Sequence, residues 1–130
     1  MKREPDLIRE ILLKVEAYPK ASGPDYNYWF SSPIGNYSWE HVSYHVLILD
    51  EGGFLIAHNE QTTDEDQQLQ DNWIPVRLTW QGHEFLDAAR DANRWRLVKK
   101  AMGHTGGFVV GVAQQVLVEL VKAQATKYLP

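Results

Sequence analysis

Apolar side chains recur at three- and four-residue spacing through Leu7, Ile8, Ile11, Leu12 and Val15, the signature of one helical face. Pro5 suits a first helical turn and Pro19 a stop, so a helix is expected between them. From Ala21 to Asn36 the periodicity dissolves into Ser, Gly, Pro and Asn mixed with rings, which predicts irregular chain with one short strand at Tyr28–Phe30. Ser38 is a good N-cap for a second helix that gathers Trp39, Val42, Val46 and Leu49 on one face and stops at Gly52-Gly53. Phe54–Ala57 reads as a strand and Trp73–Leu78 as its antiparallel return, with Pro75 marking an edge and a polar, acidic loop from His58 to Asn72 between them. Thr79 can cap a single long helix, ending near Gly103, whose buried side is Phe85, Leu86, Ala89, Trp95, Val98 and Met102. Gly106-Gly107 then opens a last helix with an apolar stripe of Val109, Val112, Val116, Leu117, Leu120 and Val121. That stripe needs a cover, either the first helix or a second copy of the chain in a homodimer.

Helix, helix, strand, long turn, strand, helix is the order of a winged-helix domain. The expected class is therefore α+β: a winged-helix-like domain over residues 1–104, with a two- or three-stranded β-wing, and an added C-terminal helix over 105–130. Several segments carry a resemblance as well. They are the opening Met-Lys-Arg with Asp6-Leu7-Ile8-Arg9-Glu10-Ile11-Leu12, then Tyr37-Ser38, Ser43-Tyr44-His45 and Leu49-Asp50-Glu51-Gly52-Gly53-Phe54-Leu55-Ile56, and finally Leu78-Thr79-Trp80-Gln81-Gly82-His83-Glu84-Phe85-Leu86-Asp87-Ala88-Ala89-Arg90. In these the chain resembles a bacterial and prophage family, domain of unknown function 2513. The resemblance implies a winged-helix-like fold and a phage connection, and it brings no known reaction or site residues. The chain departs from the family at residues 20–36, which are longer and more aromatic, and at Gly53, where Ala is expected. The first departure tells against a conventional second helix of a helix-turn-helix.

Composition narrows the class. The 130 residues include no cysteine, so packing rather than disulfides must hold the fold, and 44% hydrophobic with 23% charged residues are globular proportions. The longest apolar stretches, Val46–Leu49 and Phe108–Ala113, fall far short of the roughly 18 residues of a membrane span. The N-terminus enters a charged amphipathic pattern with no apolar signal core, and a cytoplasmic protein is expected.

Charge is segregated along the chain. From Ala21 to Val76 there is no Lys or Arg, against nine acids: Asp25, Glu40, Asp50, Glu51, Glu60, Asp64, Glu65, Asp66 and Asp71. Duplex DNA is held largely by Lys and Arg on phosphates, and the helix after Ser38, which a winged-helix regulator would press into the major groove, offers none. Its outward positions are expected to be Glu40, Tyr44, Leu47 and Glu51, and the wing adds further carboxylates. A DNA-binding regulator would have to use Arg77, Arg90, Arg94, Arg96, Lys99 and Lys100. The plainer role of that cluster is to complement a helix C-terminus and to pair with Asp87 and Asp91.

Seven of the fifteen aromatics fall between residues 26 and 44. Rings with polar handles beside an acidic rim suit a protein interface. The expected binding residues are thus Tyr26, Tyr28, Trp29, Phe30, Tyr37, Glu40, Tyr44, Leu47, Asp64, Glu65 and Asp66, with some of the rings in the core. A phage inhibitor or adaptor acting on host nucleic-acid machinery fits these charges. No enzyme is expected: there is no Gly-x-Ser-x-Gly elbow, no dinucleotide fingerprint and no thiol, and Gly103–Gly107 lacks the ending of a phosphate loop. His41 and His45 have metal-competent spacing, yet a third ligand would have to come from His58, His83 or His104. His45 is expected to pack in the core, and no metal or cofactor is expected.

Overall fold

Pro5 opens helix α1 (Pro5–Ala17) at its first position, where a missing amide hydrogen costs nothing, and the chain leaves the helix at Tyr18 in extended backbone just before Pro19. Leu7, Ile8, Ile11, Leu12 and Val15 are all buried, so the spacing predicted both the helix and its inner face. The computed structural model describes residues 1–103 and 110–129. Within them lie two compact units, Met1–His83 and Glu84–Pro130.

The expected strand at Tyr28–Phe30 is instead one helical turn, α2 (Tyr26–Trp29). The Asp25 carboxylate accepts from the Tyr28 amide at 2.7 Å and closes that turn, a local bond that outweighs the strand preference of the aromatic residues. Helix α3 (Trp39–Glu51) follows as predicted, capped by the Ser38 hydroxyl on the His41 amide. It buries Val42, His45, Val46 and Leu49 and ends at Gly52, with Gly53 at φ +81 turning the chain into the sheet.

Strands β1 (Leu55–Asn59) and β4 (Trp73–Leu78) pair antiparallel in a two-stranded sheet, with a register irregularity between Ile56 and Ala57. Pro75 is tolerated because β4 has one strand neighbour. The Asp50 carboxylate accepts the Ala57 amide at 2.8 Å at that irregularity, tying α3 to β1. Gly23, at φ +83, passes so close to β4 that an added Cβ would lie 2.3 Å from the Val76 carbonyl oxygen.

The acidic segment expected as a loop is largely hairpin. β2 (Thr62–Thr63) and β3 (Leu69–Gln70) pair, and the free turn shrinks to Asp64–Gln68. Two side chains organise it. Asp64 accepts from the Asp66 and Gln68 amides, both at 2.9 Å, with Gln67 at φ +64. Asn72 donates to the Glu60 carbonyl and the Thr62 hydroxyl, both at 2.9 Å, while its own amide reaches Asn59 Oδ1. Helices α1 and α3 pack on each other and on the base of the hairpin, burying Leu55, Ile74 and Leu78.

The segment expected as one helix from Thr79 to Gly103 is two, α4 (Trp80–Ala89) and α5 (Ala92–Gly103). Thr79 caps the first, its hydroxyl accepting the Gly82 amide at 3.1 Å. The break comes at Asp91, whose carboxylate caps α5 on the Arg94 amide at 2.9 Å. Arg94 in turn donates to the Ala88 and Asp87 carbonyls at the end of α4. A buried side shared by two helices mimics one continuous stripe, which is why periodicity alone joined them.

Helix α6 (Val110–Thr126) packs on α5, a different neighbour from the first helix or second copy expected to cover it. Its buried residues are Ala113 and Leu117; Val116 and Leu120 are half-buried, and Val112 and Val121 of the expected stripe are exposed. Val109, Gly106-Gly107 and His104 lie outside the described residues. The whole is mixed α+β, with six helices and a small antiparallel sheet among the described residues.

Candidate functional site

The aromatic segment divides into a core part and a surface part. Trp29 is fully buried, which removes it from the expected contact surface. A cation that sequence reasoning did not connect to this segment organises it. Lys14, projecting from α1, donates to the Trp29 carbonyl at 2.8 Å and stands 4.8 Å from the Trp29 ring centroid and 5.6 Å from that of Trp39. Burial pushes the Lys14 ammonium below its ordinary value. Phe30 is half-buried, edge-on to Trp39 at 4.5 Å and beside Tyr26 at the same spacing. Tyr37 is half-buried, and burial followed by the charges of Glu4, Asp6 and Glu10 raises its phenol above the usual value. Tyr26 and Tyr28 remain exposed, Tyr28 resting against Tyr18 at 4.6 Å.

Beside this cluster, α3 and the base of the hairpin enclose a groove of about 460 Å³. Trp39, Glu40, Ser43, Tyr44 and Leu47 line it from the helix, Gln70, Asp71, Asn72 and Trp73 from the hairpin, and Met1 completes it. Ser43 joins the two walls: its hydroxyl accepts the Trp73 amide at 2.9 Å and faces the Asp71 carbonyl at 3.4 Å. The groove thus collects three expected residues, Glu40, Tyr44 and Leu47. Tyr26 and Tyr28 do not line it, nor do Asp64, Glu65 and Asp66 at the hairpin turn. Among these, Asp64 organises that turn, while Glu65 and Asp66 are exposed. Sequence reasoning missed Asp71 and Trp73 as groove residues, because each lies about thirty positions from its helical neighbours, a separation that the Ser43 bonds span.

The Asp71 carboxylate is held below the usual carboxylate range by hydrogen bonds from Gln61 and Asn59 to its Oδ1, at 3.0 and 2.8 Å. No lysine or arginine is among the described groove residues. Lys2 and Arg3 follow Met1 in the chain, and both are exposed.

The basic candidates are mostly engaged elsewhere. Arg77, in the first unit, is exposed and reaches the Leu78 carbonyl at 3.3 Å. In the second unit Arg90 pairs with Asp87 at 2.8 Å, Arg94 is spent on the α4 terminus and Gln124, and Arg96 reaches Asn93 at 2.9 Å. Lys100 is exposed and Lys99 half-buried.

His45 is fully buried. Its Nε2 accepts the Glu4 amide at 2.8 Å and its Nδ1 faces the His41 carbonyl at 2.8 Å, which fixes a neutral ring protonated at Nδ1. Burial lowers its pKa below the ordinary imidazole value. Among the described residues no cluster of three His, Cys, Asp or Glu side chains could hold a metal ion, and no helix is long and apolar enough to cross a membrane.

A relative in Haemophilus influenzae, named "Uncharacterized protein", is 39% identical over 102 residues covering 76% of this chain and 76% of its own. No solved structure matches the chain significantly. A family model described as "Hypothetical protein (DUF2513)" matches residues 2–108, spanning α1 through α5. The α1 face, the capped α3, the hairpin and the Thr79–Gly82 turn all fall inside that span, and the chain belongs to the DUF2513 family.

Proposed function

We propose that this chain is a non-enzymatic, winged-helix-like recognition protein of phage or mobile-element type that binds a protein partner through the groove between α3 and the hairpin. The order α1, α2, α3, then a long β1–β4 hairpin supports the winged-helix reading, with α3 in the place of the recognition helix. The observation that carries the choice of partner is the lining of the groove: Trp39, Tyr44, Leu47 and Trp73 supply ring and apolar area, and Glu40 and Asp71 supply the charge. A carboxylate-lined face repels phosphates and favours a polypeptide. Inhibition or bridging of host nucleic-acid machinery is consistent with such a surface.

One observation favours a second reading, a DNA-binding regulator. Met1 lines the groove, so Lys2 and Arg3 could act as a basic arm beside α3. Affinity capture from the native host, with and without nuclease and with Tyr44→Ala as control, separates the two. Protein binding predicts a partner that survives nuclease and is lost on Tyr44→Ala. Retention of nucleic acid alone, with duplex affinity falling steeply in salt, would overturn it.

A further inference from the structure

Resting on the protein-binding reading, we infer that the groove receives an extended basic segment of the partner, one arginine or lysine head lying between the Glu40 and Asp71 carboxylates with its stem against Tyr44 and Trp73. Charge complementarity commits the site to this occupant. Apart from Met1, every lining residue comes from the stretch Ala21–Val76, which contains no cation of its own. Glu40 lies in the first turn of α3 and makes no ion pair among the described residues. Both amide donors to Asp71 use Oδ1, which holds the carboxylate in place and leaves Oδ2 open among the described residues.

The rings complete the match, since a cation over an aromatic face gains energy that a neutral amide does not. The fold already uses this pairing inside itself, where Lys14 lies over Trp29 and Trp39. A groove of about 460 Å³ accommodates one or two side chains of an extended strand rather than a whole helix.

The test uses the full chain and fluorescence anisotropy of labelled dodecapeptides built from repeats of Gly-Arg-Leu, Gly-Gln-Leu or Gly-Glu-Leu. The arginine peptide is expected to bind at low salt and weaken as salt rises, the other two to bind far less. Glu40→Gln with Asp71→Asn is expected to lower its affinity about tenfold, and Glu40→Gln alone about threefold with the circular dichroism unchanged. Glu65→Gln with Asp66→Asn removes the same charge from the hairpin turn and is expected to leave binding unaltered.

No binding of the arginine peptide, or an equal loss in the turn variant, overturns the inference. Tyr44-dependent binding of the glutamine peptide at equal strength overturns it too, while the protein-binding reading stands. If no peptide binds and labelled duplex DNA is held in a Tyr44-dependent way, that broader reading falls as well.

Discussion

Removing the Trp29 indole tests the division of the aromatic segment into core and surface. Trp29 has no exposed surface, packs 6.4 Å from Trp39 and carries Lys14 over its ring. Trp29→Ala therefore loses a buried aromatic side chain, about 3–5 kcal/mol, and a partly desolvated cation–π contact of about 0.5–2 kcal/mol. Lys14 keeps its carbonyl acceptors at Trp29 and Ser32, so its charge is not stranded. Trp29→Phe should behave differently. It keeps a ring against Lys14 and discards Nε1, which is buried without an acceptor among the described residues, so the lost volume is partly offset.

The expected costs are about 3.5–7 kcal/mol for alanine and under about 2 kcal/mol for phenylalanine. For a chain of this length the alanine cost corresponds to a fall in Tm of about 13–26 °C. Thermal melts followed by near-ultraviolet circular dichroism measure it directly. A fall of less than about 3 °C for Trp29→Ala, with partner binding lost, would show that the ring is a contact residue and that the core assignment is wrong.

Three further outcomes follow from single contacts. Because burial depresses the His45 pKa, its contribution to stability is complete above the ordinary imidazole value of 6.5 and is lost as pH falls through that value toward the folded pKa. Urea midpoints should drop over that window, and His45→Gln, which can still accept from Glu4 and donate to His41, should flatten the drop; identical pH profiles would refute the assignment. Gly82→Ala places a Cβ 1.8 Å from the Phe54 carbonyl oxygen and should cost about 2–4 kcal/mol in a denaturant melt, whereas Gly103→Ala, with nothing within 4 Å among the described residues, should cost nothing. Asp91→Ala removes the α5 cap and should lower stability by about 1 kcal/mol, with helicity loss in far-ultraviolet circular dichroism; an unchanged melt would refute the cap.

What could be read along the chain was local. The α1 face, the Ser38 and Thr79 caps, the Gly52-Gly53 stop and the β1 and β4 strands depend on spacing and on bonds within a few residues, so the one-dimensional pattern contains them. The charge partition was equally legible, because a stretch without Lys or Arg stays so in any fold.

Tertiary structure decided the rest. The Asp25 turn, the Asp91 break and the Asn72 network are side-chain to backbone bonds of the kind that Ser, Asn and Asp offer in many places, and only packing selects which ones form. Lys14 reaching Trp29 and Trp39, and Ser43 joining α3 to Trp73, span 15 to 30 positions in sequence. Periodicity says that a ring is apolar, but not whether another element covers it. That is why Trp29 became core, Tyr44 remained at the surface, and Glu40 and Asp71 came to share one groove.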